Sequence, residues 1–304
     1  MKALVTGAAG FIGRQLLGAL AERAEIDEIR ATDQSPLGFE HPKVRFSAGN
    51  IASPQFARAL VTADIDAVFH LAALVSGGAE QNFELGTRVN LDATRDLMEA
   101  CRLAGRRPKF LFASTIAVYG GELPDPVTDD TRAEPRLSYG AQKLACEVLL
   151  NDYTRRGFLD ARTLRLPAVL VRPGAANTAL SGWASALVRE PLAGRDYLCP
   201  VREDARQPCM SVRCAAAAFL HALQLPADAL GWDRSVLLNA VSASAGEMWE
   251  AARTRAAGRV SFRPDPMVQA VMDAVPRSTR SVRAERLGFR HNAGIEEIVA
   301  EYQA

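Results

Sequence analysis

The sequence predicts an α/β fold in which a doubly wound parallel sheet carries helices on both faces. Three observations predict it. Short runs of Val, Ile and Leu alternate with longer segments of helical period from the first residue onward, and a glycine-rich turn follows the first run. Hydrophobic residues make up 48% and charged residues 23% of the 304 positions, which is the composition of a globular protein with a sizeable core.

The alternation can be followed element by element as far as residue 166. The predicted strands are the short apolar runs, at residues 2–6, 28–32, 44–46, 67–70, 109–114 and 162–166. The predicted helices are the segments of helical period, at residues 11–23, 89–103 and 139–154. Beyond residue 166, nine prolines shorten the elements. We therefore predict a core over residues 1–166 and a small C-terminal capping region over residues 167–304, interleaved with the core in one compact unit.

Charge and cysteine usage exclude several classes of protein. The formal net charge is +1 and the arginines form no block, so we expect no nucleic-acid partner. No apolar stretch approaches the ~18 residues of a membrane helix, so we expect no membrane partner. The five cysteines show no C-x-x-C pair, which disfavours a zinc ribbon or a disulfide framework. We expect no metal, and a reducing, cytoplasmic location, because Thr6 and Gly7 interrupt the first apolar run too early for a signal peptide.

A glycine-rich turn joins the first predicted strand to the first predicted helix. It reads TGAAGFIG, and its candidate contacts with a cofactor are Gly7, Gly10, Phe11, Ile12 and Gly13. Glycines let the chain turn tightly and bring backbone N–H groups against a pyrophosphate, whose charge suits a helix N-terminus. The G-x-x-G-x-x-G spacing predicts a dinucleotide site, and a plain tight turn is the alternative.

An acidic residue follows at the distance that a dinucleotide site needs. Asp33 lies 20 residues after Gly13, at the end of the second predicted strand. A carboxylate there accepts hydrogen bonds from the adenosine ribose and repels a 2′-phosphate, so it favours NAD over NADP; a solvated loop acid is the alternative. His70, at the end of the fourth strand, is interpreted as a structural residue and not as a catalyst. The ends of the third and fourth strands supply further candidates for contact with NAD, namely Asn50, Ile51, Leu71, Ala72 and Ala73.

A tyrosine and a lysine lie four positions apart on the third predicted helix. This spacing puts the phenol of Tyr139 and the ammonium of Lys143 on one helix face. A nearby ammonium favours the phenolate and so makes Tyr139 a usable base near neutrality. Ser114 and Thr115 supply hydroxyls at the end of the fifth strand, where one can hold the substrate oxygen. Either hydroxyl taken alone is more often a strand-end cap.

With these motifs in this order, the chain resembles the extended short-chain dehydrogenase/reductase family over nearly its whole length. The resemblance implies a Rossmann-type core that binds NAD, and a substrate cap. It implies that Tyr139 is the base and that Lys143 orients the ribose and lowers the tyrosine pKa. Thr115 is then the hydroxyl partner, and Ser114 is its supporting neighbour. Asn90 matches a family asparagine near the active site and is an expected contact with NAD. Contacts with NAD are also expected around the end of the sixth strand, at Leu166, Pro167 and Val169.

Three stretches are similar to a subgroup of that family that oxidises the C2 hydroxyl of D-erythronate, a four-carbon sugar acid, with NAD. They read HLAALVSGGAE from residue 70, LRLPAVLVRPG from residue 164 and VREPLAG from residue 188. The resemblance implies a small polyhydroxy acid as substrate, with candidate contacts at Ser76, Thr115, Tyr139, Arg172, Asn177, Ser181 and Arg213. Ser76 is expected in a flexible loop. Two departures, Ala175 in place of a lysine and Trp183 in a stretch that is Ser-Ser-Phe in the subgroup, predict a lost carboxylate contact and a reshaped pocket.

Two other functions stay open at this point. A nucleotide-sugar epimerase or dehydratase has the same family fold, although the stretch around Pro167 is unlike the asparagine-bearing stretch of the epimerases. A non-catalytic NAD-binding protein is the other alternative, which the pair of Tyr139 and Lys143 disfavours. Family habit also predicts a homodimer that forms through the two long helices containing Asn90 and Tyr139.

Overall fold

The structure, a computed structural model, describes residues 1–174 and 181–303. Its strands are short, and they are β1 (Lys2–Thr6), β2 (Glu28–Asp33), β3 (Val44–Ala48), β4 (Ala67–His70), β5 (Lys109–Thr115), β6 (Val127–Thr128), β7 (Asp160–Leu166), β8 (Ala168–Leu170), β9 (Tyr197–Cys199), β10 (Arg206–Ser211), β11 (Ser235–Leu237), β12 (Val241–Ser244), β13 (Val260–Phe262) and β14 (Thr279–Arg280). Its α-helices are α1 (Phe11–Ala21), α2 (Pro54–Ala59), α3 (Ser76–Gln81), α4 (Phe83–Gly86), α5 (Ala93–Ala104), α6 (Ser138–Arg155), α7 (Gly182–Leu192), α8 (Val212–Gln224), α9 (Ala245–Arg253), α10 (Pro266–Asp273), α11 (Val282–Arg286) and α12 (Ile295–Gln303).

The predicted alternation of strands and helices up to residue 166 is confirmed. The strands β1 and β4 have the predicted bounds, and the other predicted strands differ from theirs by one or two residues. The helix expected over residues 89–103 differs more, because a π-helical segment over Thr87–Asp92 precedes α5. Within the described ranges, none of the helices combines the length and the apolar character of a membrane span.

The chain divides into two compact units, each made of three segments. The first contains Met1–Thr115, Ser138–Arg165 and Ala216–Val236. The second contains Ile116–Leu137, Leu166–Ala215 and the chain from Leu237 onward. Residues 116–137, which the sequence analysis placed in the core, therefore group with the later part of the chain, and residues 216–236 group with the earlier part. The roles of the units as cofactor core and substrate cap stay predictions.

The first unit contains a seven-stranded parallel sheet in the order β3-β2-β1-β4-β5-β7-β11. From β1 the chain moves outward to β2 and β3, and then returns to β4 on the other side of β1. The strand order therefore reverses between β1 and β4. In open parallel sheets, ligands bind at this point, outside the carboxyl ends of the strands.

Helices bury this sheet, which explains why its strands read as continuous apolar runs. Leu4, Val68 and Phe110 of three neighbouring strands belong to one buried cluster with Leu97 of α5 and Leu150 of α6. The two long helices are thereby fixed against the sheet, and Thr94 in the first turn of α5 is hydrogen-bonded to His70 at the carboxyl end of β4.

The second unit contains small sheets and helices around its own apolar core. β10 lies between β12, which is antiparallel to it, and β8, which is parallel. Trp183 and Leu187 of α7 are buried in this core with Met248 of α9 and Ile298 of α12. The indole N–H of Trp183 donates to Sδ of Met272 at 3.3 Å. The side chain of Trp183 is thus a core residue of this unit, and its expected effect on a substrate pocket stays a prediction.

Candidate active site

The glycine-rich turn between β1 and α1 is so tight that two of its glycines have no room for a side chain. Gly7 has φ +69°, and a Cβ on it would lie 2.6 Å from the backbone nitrogen of Ala72. A Cβ on Gly13 would lie 2.2 Å from the carbonyl oxygen of Gly7. Gly10, the residue before α1, offers no side-chain cap to the helix. The turn thus forms a backbone cradle beside the N-terminus of α1. This cradle fits a pyrophosphate, and Cβ atoms added at the glycines would fill it.

Asp33 at the end of β2 is bound to this turn. Its Oδ2 accepts a hydrogen bond from the backbone N–H of Ala9 at 3.0 Å, and its Oδ1 accepts one from Ser35 at 3.0 Å. A carboxylate has about four acceptor positions, so two bonds leave capacity for the hydroxyls of a ribose. The structure brings the glycine turn and the acid together, and the pair fits NAD.

Backbone after β4 lies directly against the glycine turn. Leu71 donates its N–H to the carbonyl oxygen of Thr6 at 3.2 Å, and Ala72 donates to Thr6 Oγ1 at 3.3 Å. Phe11 and Ile12, the first two residues of α1, are half-buried, as are Leu71, Ala72 and Ala73. These predicted cofactor residues thus lie around one end of the sheet.

The predicted contacts after β3 differ in burial. Asn50 is exposed, and its Oδ1 accepts from the N–H of Ala52 at 2.9 Å. Ile51 is buried in the core of the first unit. The N–H of Gly49 donates to the carbonyl oxygen of Asp33 at 3.0 Å, which keeps this segment next to the acid.

The tyrosine and the lysine share one face of α6, as their spacing predicts. Lys143 is buried, and its Nζ lies 5.7 Å from the ring centroid of Tyr139 and 4.4 Å from that of Phe112. Burial lowers the pKa of Lys143 to about 8, although Cys146 and Glu147 oppose the shift. The ammonium is therefore still charged at neutral pH. Its distance from the Tyr139 ring is one at which an opposite charge favours the ionised form, the phenolate.

The two hydroxyls at the end of β5 have different surroundings. Ser114 is buried, and its hydroxyl donates to Oε1 of Glu147 on α6. Its proton is therefore engaged. Thr115, the last residue of β5, is half-buried. The roles of Thr115 as the hydroxyl partner and of Ser114 as its support stay predictions.

His70 is held in a chain of hydrogen bonds that fixes its protonation. Thr94 donates its hydroxyl proton to the carbonyl oxygen of Asn90 at 2.7 Å, so His70 Nε2 donates to Thr94 Oγ1 at 2.8 Å. Nδ1 then accepts from Thr6 Oγ1 at 2.7 Å. Complete burial, and to a smaller extent the charge of Lys143, lower the pKa of His70 to about 3. The residue is a neutral structural element of the site.

The side chain of Asn90 is hydrogen-bonded to the backbone that follows β4. Its Oδ1 accepts from the N–H of Leu74 at 2.8 Å, and its Nδ2 donates to Leu74 O at 3.0 Å and to Gln142 Oε1 at 2.8 Å. The residue lies in the π-helical segment, a local geometry common at functional sites. Both N–H groups of the amide are used, so Asn90 fixes the segment at Leu74, and its expected contact with NAD stays a prediction.

Ser76 is the first residue of α3, and the expectation of a flexible loop at this position is wrong. Gly77 and Gly78 follow it inside the helix, where both are buried. The side chain of Glu80 in the same helix accepts from the N–H of Ser138, the residue before Tyr139. This short helix therefore contacts the start of α6.

The remaining expected contacts lie after Arg165 along the chain, and they are Leu166 at the end of β7, Pro167, Val169 in β8, Arg172, Ser181 before α7 and Arg213 in α8. The backbone of Arg172 is fixed, since its N–H donates to Ser185 Oγ at 3.1 Å and its carbonyl accepts from Arg189 Nη1 at 2.7 Å. Arg213 is exposed. Asn177 and Ala175 lie outside the described residues.

The sequence analysis missed Glu147, which contacts both Ser114 and Arg165 in the structure. Its signal was present, because Glu147 lies four residues after Lys143 and is the only acid in the apolar run LACEVLL. An acid at that spacing belongs to the same helix face.

Comparisons with known proteins agree with this chemistry. The NAD dependent epimerase/dehydratase family matches residues 3–231. A D-erythronate dehydrogenase from Cupriavidus necator is 42% identical, over 99% of this chain and 98% of its own length. A D-erythronate dehydrogenase from Haemophilus influenzae is 35% identical, over 99% and 98% of the two chains. The crystal structure of a nucleoside-diphosphate-sugar epimerase from Agrobacterium tumefaciens is 37% identical, with a TM-score of 0.91 over 98% of this chain and 92% of its own.

This chain is an NAD-dependent oxidoreductase that acts on CH–OH groups, and NAD is its cofactor. The range matched by the family includes the glycine turn, Asp33, Tyr139 and Lys143. The chain belongs to the NAD dependent epimerase/dehydratase family.

Proposed function

We propose that this enzyme oxidises a secondary hydroxyl, the one at C2, of a small sugar acid such as D-erythronate. The observation that carries the proposal is the buried Lys143 ammonium, 5.7 Å from the ring of Tyr139 on the same face of α6. The similarity to two D-erythronate dehydrogenases over nearly the whole chain supports the choice of substrate.

Each residue of the proposed mechanism has one task. The phenolate of Tyr139 takes the proton of the substrate hydroxyl, and the charge of Lys143 keeps that phenolate available near neutral pH. Thr115 holds the same oxygen, while Ser114 supports the strand end. When bound, NAD supplies the ring carbon that accepts the hydride.

The cofactor contacts follow from the cradle and the acid. Gly7, Gly10 and Gly13 give the pyrophosphate access to backbone N–H groups, and Asp33 accepts from the ribose. Lys143 and Tyr139 are proposed to contact the second ribose. The further proposed contacts are Phe11, Ile12, Asn50, Ile51, Leu71, Ala72, Ala73, Thr115, Leu166, Pro167 and Val169.

The substrate contacts come from hydroxyls and cations. Ser76 and Ser181 offer hydroxyls to a polyhydroxy chain, and Arg172 and Arg213 offer guanidinium groups to a carboxylate. Asn177 is proposed on the sequence resemblance alone.

Turnover by a pair of matched variants tests this function. NADH absorbance is followed with NAD and a panel of four- to six-carbon sugar acids, and we expect turnover on D-erythronate. Tyr139→Phe is expected to abolish turnover and to leave NAD binding in calorimetry unchanged, because only the base is lost. Tyr153→Phe removes a phenol from the same helix, where it donates to Glu99, and should keep the activity. Absence of turnover on every acid would refute the proposal.

A nucleotide-sugar epimerase is the second candidate, and the similarity to the Agrobacterium tumefaciens protein favours it. That reaction needs a pocket for a nucleoside diphosphate in addition to the NAD site. Calorimetry with UDP- and dTDP-sugars distinguishes the two, since a sugar-acid dehydrogenase should bind neither.

We further propose that the protein is a homodimer and lies in the cytoplasm. Leu103 of α5 and Val148 of α6 are 69% and 62% exposed, which supports contact between copies through these helices. All five cysteines are free thiols, as a reducing compartment maintains them.

A further inference from the structure

A buried carboxylate connects α6 to two strands of the sheet in the first unit. Glu147 is 2% exposed and accepts the hydroxyl proton of Ser114 on β5. It also accepts hydrogen bonds from Arg165 on β7. Nη2 of Arg165 lies 2.6 Å from Oε2 of Glu147, and Nε lies 3.1 Å from both carboxylate oxygens. Because β5 and β7 are neighbours in the sheet, one side chain ties the helix to two adjacent strand ends.

This contact lies beside the residues of the proposed catalytic site. Lys143 and Glu147 are one helical turn apart on α6, as are Tyr139 and Lys143. Ser114 directly precedes Thr115 on β5. We propose that Glu147, held by Ser114 and Arg165, is a positioning residue that sets where Tyr139 and Lys143 lie relative to Thr115. The inference rests on the function proposed for those three residues.

Stability alone does not account for an ion pair at this place. A buried acid–arginine pair usually contributes no more to stability than apolar side chains of similar volume, because both charges lose their hydration. What such a pair does supply is fixed geometry, since the guanidinium fork binds the carboxylate in one plane.

Several ionisable groups face Lys143 and define what a charge change would do. They are Tyr139, Cys146 and Glu147 on α6 and His70 on β4, and Glu147 is in turn paired with Arg165 on β7. His70 and Cys146 are neutral at pH 7, because burial lowers the pKa of His70 to about 3 and raises that of Cys146 to about 11. Removal of the negative charge at Glu147 would take away a charge that raises the pKa of Lys143.

The strand β7 offers a matched control at its other end. Asp160 and Arg162 form a second buried acid–arginine pair there, with Oδ2 and Nη2 2.7 Å apart. Burial, followed by the charge of Arg162, lowers the pKa of Lys109, and the charge of Asp160 opposes that shift. The variants Glu147→Gln and Asp160→Asn therefore remove the same charge from the same kind of pair, beside two different lysines.

A titration of the lysines tests the proposal without any turnover. The chain has four lysines, Lys2, Lys43, Lys109 and Lys143, so ¹³C labelling at Cε gives four signals to follow with pH. In Glu147→Gln we expect the pKa of Lys143 to fall by about one unit, while Lys109 stays unchanged. In Asp160→Asn we expect Lys109 to move and Lys143 to stay. An unmoved Lys143 in Glu147→Gln, or the same movement in both variants, would overturn the proposal.

Kinetics then separate position from charge. Glu147→Gln is expected to lower kcat by about ten- to a hundredfold, because small misplacement of catalytic groups has effects of that size, with KM for the sugar acid within about threefold. Asp160→Asn should keep kcat. Glu147→Asp retains the charge but shortens the side chain. It should therefore lower kcat and leave the pKa of Lys143 unchanged. An unchanged kcat in Glu147→Asp would refute the positioning role, even if Glu147→Gln does not fold.

The two proposals fail in different ways. A wild-type protein that is inactive on every sugar acid contradicts the proposed substrate, whereas the lysine titration gives the same result whatever the substrate is. Loss of coupling in that titration contradicts the role of Glu147 and leaves the dehydrogenase function intact.

Discussion

His70 shows how burial decides the role of an ionisable side chain. Its two ring nitrogens are occupied by Thr6 and Thr94, and no part of the ring is exposed. Because burial lowers its pKa to about 3, the ring stays neutral throughout the physiological range. An imidazole close to Lys143 thus adds no charge to the site, and the structural role predicted from the sequence agrees with its contacts.

This burial predicts a dependence of stability on pH. The folded-state pKa of about 3 lies below the usual value of 6.5, so the unfolded chain binds a proton first as the pH falls. The contribution of His70 is fully present above pH ~6.5 and decreases as the pH falls towards the folded pKa. Between pH 7 and pH 5 the wild type should lose about 2 kcal/mol of unfolding free energy from this group.

Urea unfolding at both pH values, on the wild type and on His70→Asn, checks this prediction, because His70→Asn should lack that loss. His291→Asn, at an exposed histidine, should behave as the wild type; equal pH dependence in all three proteins would contradict the prediction.

The helix α1 carries two glycines with opposite requirements, and these predict opposite effects of alanine. At Gly13 a Cβ would lie 2.2 Å from Gly7 O, so Gly13→Ala should abolish NAD binding and lower the unfolding free energy by about 1–3 kcal/mol. At Gly18 an added Cβ would have no neighbouring atom within 4 Å, so Gly18→Ala should raise the unfolding free energy by about 0.5–1 kcal/mol. Calorimetric NAD titration and thermal unfolding measure both effects. NAD binding by Gly13→Ala at the wild-type affinity would contradict the cradle.

Elements whose signal is local were predictable from the sequence. The strands β1 and β4 were predicted with their observed bounds because each is a short apolar run that ends at a polar residue, Thr6 or His70. The helix α3 was missed because Gly77 and Gly78 favour a loop in isolation, whereas burial against neighbours stabilises the helix here. The π-helical segment was missed because no residue pattern distinguishes it from the α-helix that follows.

The same distinction between local signals and contacts of distant segments applies to the candidate site. The glycine turn, Tyr139 and Lys143 could be proposed from the sequence because their chemistry depends on spacing along the chain. The contact of Glu147 with Ser114 and Arg165 joins three elements, so no spacing reveals it. The same holds for the hydrogen bonds that Asn90 forms with the backbone of Leu74, because they join residues 16 positions apart.

At the scale of the whole molecule, exposed apolar side chains predict how copies of the chain associate. Leu103 and Val148 project from α5 and α6 of the first unit, and Phe83 of the neighbouring α4 is 64% exposed. Apolar surface removed from water contributes about 25 cal/mol per Å², and a twofold dimer buries the same patch on both copies. Light scattering at micromolar concentration should therefore give the mass of a dimer.

The double variant Leu103→Lys/Val148→Asp should shift that mass to a monomer, because each dimer would bury charges on both sides. Met267→Lys changes a side chain that is 81% exposed in the second unit and should leave the dimer intact. A monomeric wild type, or a dimer that survives the double variant, would exclude association through these two helices.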